Sequence, residues 1–319
     1  MIWLFLVLAL ALTLAAAAPF LVEHYRPRMS DGRRGSASGQ FAELSQGVTH
    51  YHLRGPAEGP LVVCIHGLTT PSFVWQPLAS GLATHGFRVL VYDLYGRGFS
   101  DRPEGIQDKG FFNRQLENLL AHLGIEEPFH LIGYSMGGAI ATGFAAAHSS
   151  RVRRLVLLAS AGLARADAPM MRFIRDRGIA GKWLMLAAYP HRMRRGIQAE
   201  RAHHNVPPEI SEGQQAQLEF QGFIPAVLAS LRGILRRPLE GEHMALRQSG
   251  LPVLALWGAE DAVIPASAMG QLAAWNRDAR HNVVEGAGHG LPYTHSDTVL
   301  EQLTDFLPAP GADDWRHDI

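Results

Sequence analysis

The chain has 319 residues, with 29 Lys plus Arg against 29 Asp plus Glu, so its formal net charge is zero. This balance argues against a nucleic-acid-binding protein, which would carry a basic surface. The one cysteine, Cys64, excludes an internal disulfide and a cysteine zinc site. Once about the first 30 residues are set aside, the length suits one large α/β domain or a domain with an insertion.

The N-terminus predicts a membrane segment. Residues 2–22 are apolar and uncharged, and about 20 helical residues span the hydrocarbon core of a bilayer. The arginines that follow are Arg26, Arg28, Arg33 and Arg34. Positive residues stay on the cytoplasmic side, so we expect an uncleaved single-pass anchor, residues 1–25, with the body facing the cytoplasm. The alternative is a signal peptide cleaved near the alanines at 15–18, which gives a secreted or periplasmic protein.

After this segment the pattern becomes that of a folded domain. Residues 26–40 are rich in glycine, serine and arginine, which is typical of a linker, so the body is expected to begin near Phe41. Alternation predicts an edge strand at 48–54, apolar runs predict strands at 61–65, 89–93, 129–132 and 154–159, and helical spacing predicts helices at 73–85, 110–123 and 139–147. Wholly apolar strands that alternate with helices indicate a parallel sheet covered on both faces.

The alternation stops after residue 163. Helical patterns continue from 164 to 247 without a strand, strands resume at 253–257 and 282–284, and a last helix is predicted at 295–307. We therefore expect an α/β core of residues 41–163 and 248–308, a helical cap of residues 164–247, and a loose tail of residues 309–319.

The first part of the expected cap combines basic and apolar side chains. Residues 165–201 contain nine Lys or Arg against Asp167, Asp176 and Glu200, with Met, Phe, Ile, Trp and Leu among them. This mixture suits a surface that lies on anionic lipid. The alternative is an ordinary cap whose apolar face covers the site and whose charged face is solvated.

A glycine-flanked serine lies between a predicted strand and a predicted helix, in the sequence Gly-Tyr-Ser-Met-Gly at 133–137. A sharp strand-to-helix turn needs small neighbours, because its apex is strained and the flanking chains pass close. Gly133 and Gly137 provide this room. The turn sets the Ser135 hydroxyl near a helix N-terminus, where negative charge is favoured. We therefore predict that Ser135 is a nucleophile.

A nucleophilic serine needs a base, and the base needs an orienting acid. Asp261 follows one of the late predicted strands, and His289 follows the next in the sequence Gly-Ala-Gly-His-Gly. Functional groups collect at this edge of open α/β sheets. The order Ser135, Asp261, His289 is the chain order of one known triad lineage. We predict that these three form a catalytic triad, with Glu260 as the alternative acid.

The negative charge that develops on an acyl oxygen needs N–H donors already in place. Met136, directly after the serine, offers one backbone N–H. Leu68, in the His66-Gly67-Leu68 turn after an earlier buried strand, is the second candidate for this oxyanion hole. His66 is expected to brace the turn by hydrogen bonds and not to act as a base.

Five motifs occur in order: His-Gly at 66–67, Asp-x-x-Gly-x-Gly-x-Ser at 93–100, the serine turn at 133–137, Gly-x-x-Asp at 258–261 and Gly-x-Gly-His at 286–289. Together they resemble the α/β-hydrolase superfamily, in its lidded esterase and lipase branch, over about residues 48–307. The resemblance implies the α/β-hydrolase fold, a mostly parallel central sheet with helices on both faces and a helical cap insertion. Epoxide hydrolases and haloalkane dehalogenases of this fold carry Asp where this chain has Ser135, so those activities are disfavoured.

The resemblance implies a serine hydrolase that cleaves carboxylic esters with apolar acyl groups through an acyl-enzyme, with no cofactor and no metal. Tyr134 and Trp75 are candidates for an apolar substrate pocket. An anchor followed by this body is similar in layout to membrane-bound monoacylglycerol lipases facing the cytosol, so the expected substrate is a small-molecule or lipid ester. The alternatives are a C–C bond hydrolase, a haloperoxidase or perhydrolase of the same fold, and a non-catalytic hydrolase-like binding protein.

Overall fold

The computed structural model describes residues 1–163, 168–265 and 267–308. Within them, eight strands form one sheet: β1 (Gln40–Leu44), β2 (Gly47–Arg54), β3 (Leu61–Ile65), β4 (Arg88–Tyr92), β5 (Phe129–Tyr134), β6 (Val152–Leu158), β7 (Val253–Gly258) and β8 (Arg280–Val284). The spatial order is β1-β2-β4-β3-β5-β6-β7-β8. β2 is antiparallel to both β1 and β4, and the other neighbours are parallel. The mostly parallel sheet predicted from the sequence is confirmed.

The helices flank the sheet and form the insertion. They are α1 (Ile2–His24), α2 (Asp31–Arg34), α3 (Gln76–Thr84), α4 (Lys109–His122), α5 (Met136–Ala147), α6 (Pro169–Asp176), α7 (Gly178–His203), α8 (Pro208–Gln217), α9 (Phe223–Arg232), α10 (Glu240–Gln248), α11 (Ser267–Trp275), α12 (Leu291–Thr294) and α13 (Ser296–Phe306). Every residue of β3 and β5 is buried, because α4, α5, α10 and α11 cover one face of the sheet and α3 and α13 cover the other.

Helices α6 to α9 lie in the chain between β6 and β7 and have their own apolar cluster, which includes Met185, Leu218 and Phe223. The helical insertion expected from the sequence is therefore present, although its expected start at residue 164 lies outside the described residues. Its expected end at 247 includes α10, which contacts helices outside the insertion. Helix α10 packs against α5 and α11, and Leu246 joins the core beneath the sheet.

Helix α1 is long and apolar enough to cross a membrane, and no residue of its apolar window is buried, although a signal sequence meets the same criterion. The second half of α1 contacts the insertion. Trp183 of α7 donates a 3.0 Å hydrogen bond to the carbonyl oxygen of Ala16, and Phe20 packs on the insertion cluster. The Glu23 carboxylate accepts a 2.6 Å hydrogen bond from the Gly222 N–H. The insertion therefore holds the end of α1.

The segment expected to be a linker, residues 26–40, is packed on the folded body. It contains α2, and the side chain of Arg34 is buried. Arg34 forms an ion pair with Asp101 and donates to the Phe99 carbonyl oxygen at 3.1 Å. The partners that hold this segment lie more than 60 residues away in the chain. A glycine- and serine-rich composition does not indicate such partners, so the sequence suggested a linker.

Three further elements differ from the sequence analysis. Strand β1 was not predicted, although it pairs along its whole length with β2. Helix α11 was also missed. The short helix α12 was not predicted either, and the expected last helix, 295–307, is α13. The expected tail, residues 309–319, lies outside the described residues.

Candidate active site

Ser135 lies at a strained turn between β5 and α5. Its φ of 54° and ψ of −118° are unusual for a residue with a side chain. A Cβ on Gly133 would lie 2.4 Å from the Gly137 carbonyl oxygen, and one on Gly137 would lie 2.0 Å from the Ile65 carbonyl oxygen. The close packing that the sequence predicted for these two glycines is therefore present.

A chain of two hydrogen bonds joins the three residues predicted as a triad. His289 Nε2 lies 3.0 Å from Ser135 Oγ, and His289 Nδ1 lies 2.9 Å from Asp261 Oδ2. A carboxylate can only accept, so Nδ1 carries the proton and Nε2 is free to accept from the serine hydroxyl. The histidine side chain is 19% exposed and that of Asp261 only 5%. Asp261 is therefore shielded from solvent, while His289 remains partly accessible.

Asp261 is held by its own loop as well as by the histidine. Its Oδ1 accepts from the N–H groups of Val263 (2.7 Å) and Ile264 (2.9 Å). Burial alone would raise the pKa of Asp261, but the hydrogen bond and charge of His289 and these two N–H groups outweigh burial and lower it. Asp261 is therefore a carboxylate at neutral pH. The alternative acid, Glu260, is exposed.

The turn that follows β3 passes directly beside the serine, since a Cβ on Gly67 would lie 3.3 Å from Ser135 Cβ. His66 is fully buried and braces this turn. Its Nδ1 donates to the Gly67 carbonyl oxygen at 2.8 Å, and its Nε2 accepts from the Leu94 N–H at 2.9 Å. Burial lowers the pKa of His66 to about 4, so the imidazole is neutral, as its expected bracing role requires.

The two predicted oxyanion donors lie at this junction. Met136 begins α5, and the first N–H groups of a helix have no partner within it. Leu68 follows Gly67 in the turn beside the serine, and its side chain contacts the insertion cluster. The structure therefore places both backbone segments next to Ser135.

Tyr134, a candidate for substrate binding, packs next to His289, and the other candidate, Trp75, packs against Tyr134. The Tyr134 ring is 5.3 Å from that of His289, and Trp75 makes an edge-on contact with Tyr134 at 6.4 Å. Burial, with the nearby Glu200 and Asp261 charges, raises the pKa of Tyr134 well above its ordinary value. Trp75 is completely buried, and its Nε1 has no hydrogen-bond partner in the part of the chain that the structure describes.

The sequence analysis gave no role in the site to the end of α7, which reaches the histidine loop. Glu200 accepts a 2.6 Å hydrogen bond from the Tyr293 hydroxyl. A Cβ on Gly290 would lie 2.5 Å from Glu200 Oε1, and a Cβ on Gly288 would lie 2.4 Å from His204 Nε2. The glycines on both sides of the site histidine were the sequence signal for this close approach.

Comparison with known proteins identifies the family of the chain. The family model for the alpha/beta hydrolase fold matches residues 60–296. The chain belongs to the α/β-hydrolase family. The matched residues include the serine turn, Asp261, the histidine loop and the whole helical insertion, so the family match and the hydrogen-bonded site concern the same part of the chain.

Within the family, similar curated proteins have different activities. The chain is 27% identical over 275 residues to 2-hydroxymuconate semialdehyde hydrolase of Pseudomonas putida, which is 83% of this chain and 92% of that protein. It is 28% identical over 270 residues to the pimeloyl-[acyl-carrier protein] methyl ester esterase of Aliivibrio salmonicida, 82% of this chain and 97% of the esterase. Both are hydrolases, which supports the general reaction class for this α/β hydrolase.

A solved structure extends the likeness of fold to the N-terminus. The crystal structure of a membrane phospholipase A, described as a bacterial virulence factor, matches with a TM-score of 0.69 and 23% identity. The match covers 99% of this chain and 98% of that one. Coverage of this extent includes α1 and the insertion of this α/β hydrolase.

Proposed function

We propose that this protein is a serine hydrolase that cleaves carboxylic esters with apolar acyl groups, acting at a membrane surface. The observation that carries the proposal is the hydrogen-bonded chain from Ser135 through His289 to Asp261, at 3.0 and 2.9 Å. Its serine lies on a strained turn beside two backbone segments that can donate hydrogen bonds. This is the arrangement that acyl transfer through a covalent intermediate needs.

The reaction follows from the protonation state of each group. His289 Nε2 takes the Ser135 proton while Oγ attacks the acyl carbon, and the N–H groups of Leu68 and Met136 hold the oxyanion. The C–O bond to the alcohol breaks, and His289 gives its proton to the leaving oxygen. A water then attacks the acyl-enzyme with His289 as base, and the acid departs. Asp261 keeps His289 in the useful tautomer.

The apolar surroundings of the serine favour a hydrophobic acyl group. Tyr134, with its pKa raised well above the ordinary value by burial, remains a neutral phenol and adds no charge. Trp75 and the Leu68 side chain extend this apolar surface toward the insertion. We assign these three residues to the acyl pocket.

The contact between α1 and α7 supports a membrane location. In the proposed topology α1 spans the bilayer once, and the arginines after it keep the body in the cytoplasm. Trp183 meets the carbonyl oxygen of Ala16 at 3.0 Å, and Ala16 lies about 9 Å of helix before the end of the apolar stretch at Val22. The start of α7 therefore enters the headgroup region.

The side chains around this contact fit that environment. Met170, Phe173 and Ile179 are 38%, 43% and 77% exposed. Exposed basic residues are interleaved with them, namely Arg172, Arg177 and Lys182. Exposed apolar groups with basic neighbours suit an anionic interface, where a lipid ester would be the substrate. The membrane phospholipase A that matches nearly the whole chain supports the same proposal.

A second candidate function is hydrolysis of a C–C bond by the same triad. It is favoured by the similarity to 2-hydroxymuconate semialdehyde hydrolase, which covers 83% of this chain. Ester and C–C substrates would compete for the same serine. Analysis of the reaction products therefore decides whether an ester bond or a C–C bond is cleaved.

The test uses the full chain in detergent, with Ser135→Ala as the control. We expect release of p-nitrophenol from p-nitrophenyl butyrate and of fatty acid from a monoacylglycerol, both lost in the variant. Consumption of 2-hydroxymuconate semialdehyde at a higher kcat/KM than either ester would move the assignment to the C–C reaction.

Membrane contact is tested separately with the full chain in anionic vesicles that contain brominated lipid. Bromine quenches nearby tryptophan, so the emission of Trp183 should be quenched in the wild type. The Trp183→Phe variant lacks this tryptophan, so its total emission should fall by less. Equal quenching of both proteins would contradict the depth assigned to α7.

A further inference from the structure

Arg97, in the loop between β4 and α4, is completely buried. Its guanidinium donates to Leu68 O (3.1 Å), Tyr95 O (2.8 Å), Gln107 Oε1 (2.5 Å), Ala226 O (3.3 Å) and Ser230 Oγ (2.8 Å). These bonds use the full donor capacity of the group. None of the five acceptors is a carboxylate, so the positive charge is held by neutral groups alone.

The Arg97 guanidinium is charged at neutral pH, and its charge acts on the turn that carries Leu68. Burial lowers the pKa of Arg97 to about 9, so the side chain is protonated at neutral pH. The pKa of His66 in the turn is lowered chiefly by burial and further by the positive charge of Arg97. A buried charge acts strongly because little water screens it.

The same guanidinium joins the turn to the insertion. Its Nε holds the carbonyl of Leu68, while its Nη2 holds Ser230 and Ala226 of α9. The loop and helix are in close contact here, since a Cβ on Gly96 would lie 2.3 Å from Ala226 Cβ. One side chain thus connects the oxyanion turn with the insertion.

We propose that Arg97 is a positioning residue for ester cleavage, which holds the Leu68 turn against α9 and places a positive charge beside the developing oxyanion. The inference rests on the proposed function, because it needs an acyl oxygen bound by the Leu68 N–H. The substrate carbonyl is neutral and the tetrahedral intermediate is anionic. Arg97 therefore favours the intermediate over the substrate, and it acts on kcat more than on KM.

The test compares Arg97→Met, Arg97→Lys and wild type as full chains, with kcat and KM on p-nitrophenyl butyrate and the affinity of an alkyl boronic acid. Boronic acids form a tetrahedral anion on an active serine, so they report the oxyanion site without turnover. We expect Arg97→Met to lose about 10- to 100-fold in kcat and in boronate affinity, with KM changed less than threefold. Arg97→Lys keeps the charge but not the five-donor fork, so we expect a loss of about 3- to 10-fold.

Arg102→Met is the matched control. Arg102 belongs to the same loop and donates to the carbonyl oxygens of Ser100 and Gly98. Like Arg97→Met, its replacement by Met removes loop hydrogen bonds and one positive charge. We expect its kcat and boronate affinity to stay within threefold of wild type. Equal losses in this control would show a general effect of loop damage and overturn the proposal.

The remaining outcomes are also decisive. A folded Arg97→Met or Arg97→Lys protein with unchanged kcat and boronate affinity overturns the role of Arg97, while wild-type turnover keeps the proposed function. If the Arg97→Met protein fails to fold, the Arg97→Lys protein decides the test. A wild-type protein that neither binds boronate nor turns over ester refutes the proposed function instead.

Discussion

Gly137 offers a sharp test of how the serine turn is built. A Cβ at this position would lie 2.0 Å from the Ile65 carbonyl oxygen and 2.6 Å from that of His66. Both oxygens are backbone atoms that lead into the oxyanion turn, so they cannot move aside as a side chain does. In Gly137→Ala, α5 and the end of β3 must separate by about 1 Å or more.

The expected cost has two parts. Overpacking of this kind lowers the free energy of unfolding by about 1–3 kcal/mol. A shift of about 1 Å between the nucleophile and the oxyanion donors lowers turnover roughly 100-fold. Helix propensity acts in the opposite direction, because alanine is better than glycine inside a helix by about 1 kcal/mol.

Gly196 in α7 supplies the control, because a Cβ there would meet nothing within 4 Å. We expect Gly196→Ala to keep turnover within about twofold and to gain up to about 1 kcal/mol of stability. The measurements are thermal unfolding, kcat on p-nitrophenyl butyrate and the rate of fluorophosphonate labelling. Gly137→Ala protein with wild-type turnover and stability would refute the steric reasoning.

Three further predictions concern polar contacts. Asp261→Asn should lower kcat by about 10³- to 10⁴-fold and leave KM unchanged, because an amide no longer fixes the His289 tautomer. Steady-state kinetics at pH 8 measures both constants. A loss of kcat under tenfold would exclude Asp261 as the acid. Burial alone would lower the pKa of His50, but its bond to Asp93 outweighs burial and raises it. The stabilisation from His50 is therefore full below its ordinary pKa and is lost as pH rises through the raised value, so the stability cost of His50→Gln in urea titrations should shrink from pH 5.5 to 9, and a constant cost would contradict this. Tyr293→Phe should cost about 1–2 kcal/mol of unfolding free energy, and it should be non-additive with Glu200→Gln in a double-mutant cycle.

The sheet and the serine turn could be predicted because their signals are local. An apolar run such as 129–132, followed by Gly-x-Ser-x-Gly and a helical pattern, specifies a strand, a turn and a helix within about 20 residues. The side of the sheet that carries Asp261 and His289 followed from the rule that loops after parallel strands lie at one edge. The structure brings these two side chains to Ser135, although no local pattern contains that distance.

What the sequence did not show depends on distant contacts. Residues 26–40 have the composition of a linker, yet Arg34 is buried against Asp101. The end of α7 carries Glu200 about 90 residues before Tyr293, and only folding makes them partners. Helix α10 continues the helical pattern of the insertion, so composition could not separate it from α9. Its packing on α5 joins parts of the chain that are distant in sequence.

Two missed elements have weak local signals of their own. Strand β1 has one fully buried residue, Ala42, among exposed and half-buried neighbours, so it lacks a clear alternation. Helix α11 buries only Ala268 and Leu272 and contains Gly270. Short elements with so little apolar surface form because their neighbours are already in place.

The central claim is that Ser135 is an activated nucleophile. It is tested most directly by treating the full chain with a fluorophosphonate and mapping the modified peptide by mass spectrometry. We predict one rapid modification at Ser135, absent in Ser135→Ala and slowed at least 100-fold in His289→Ala. A folded wild-type protein that stays unlabelled, or is labelled elsewhere, would contradict the proposed mechanism.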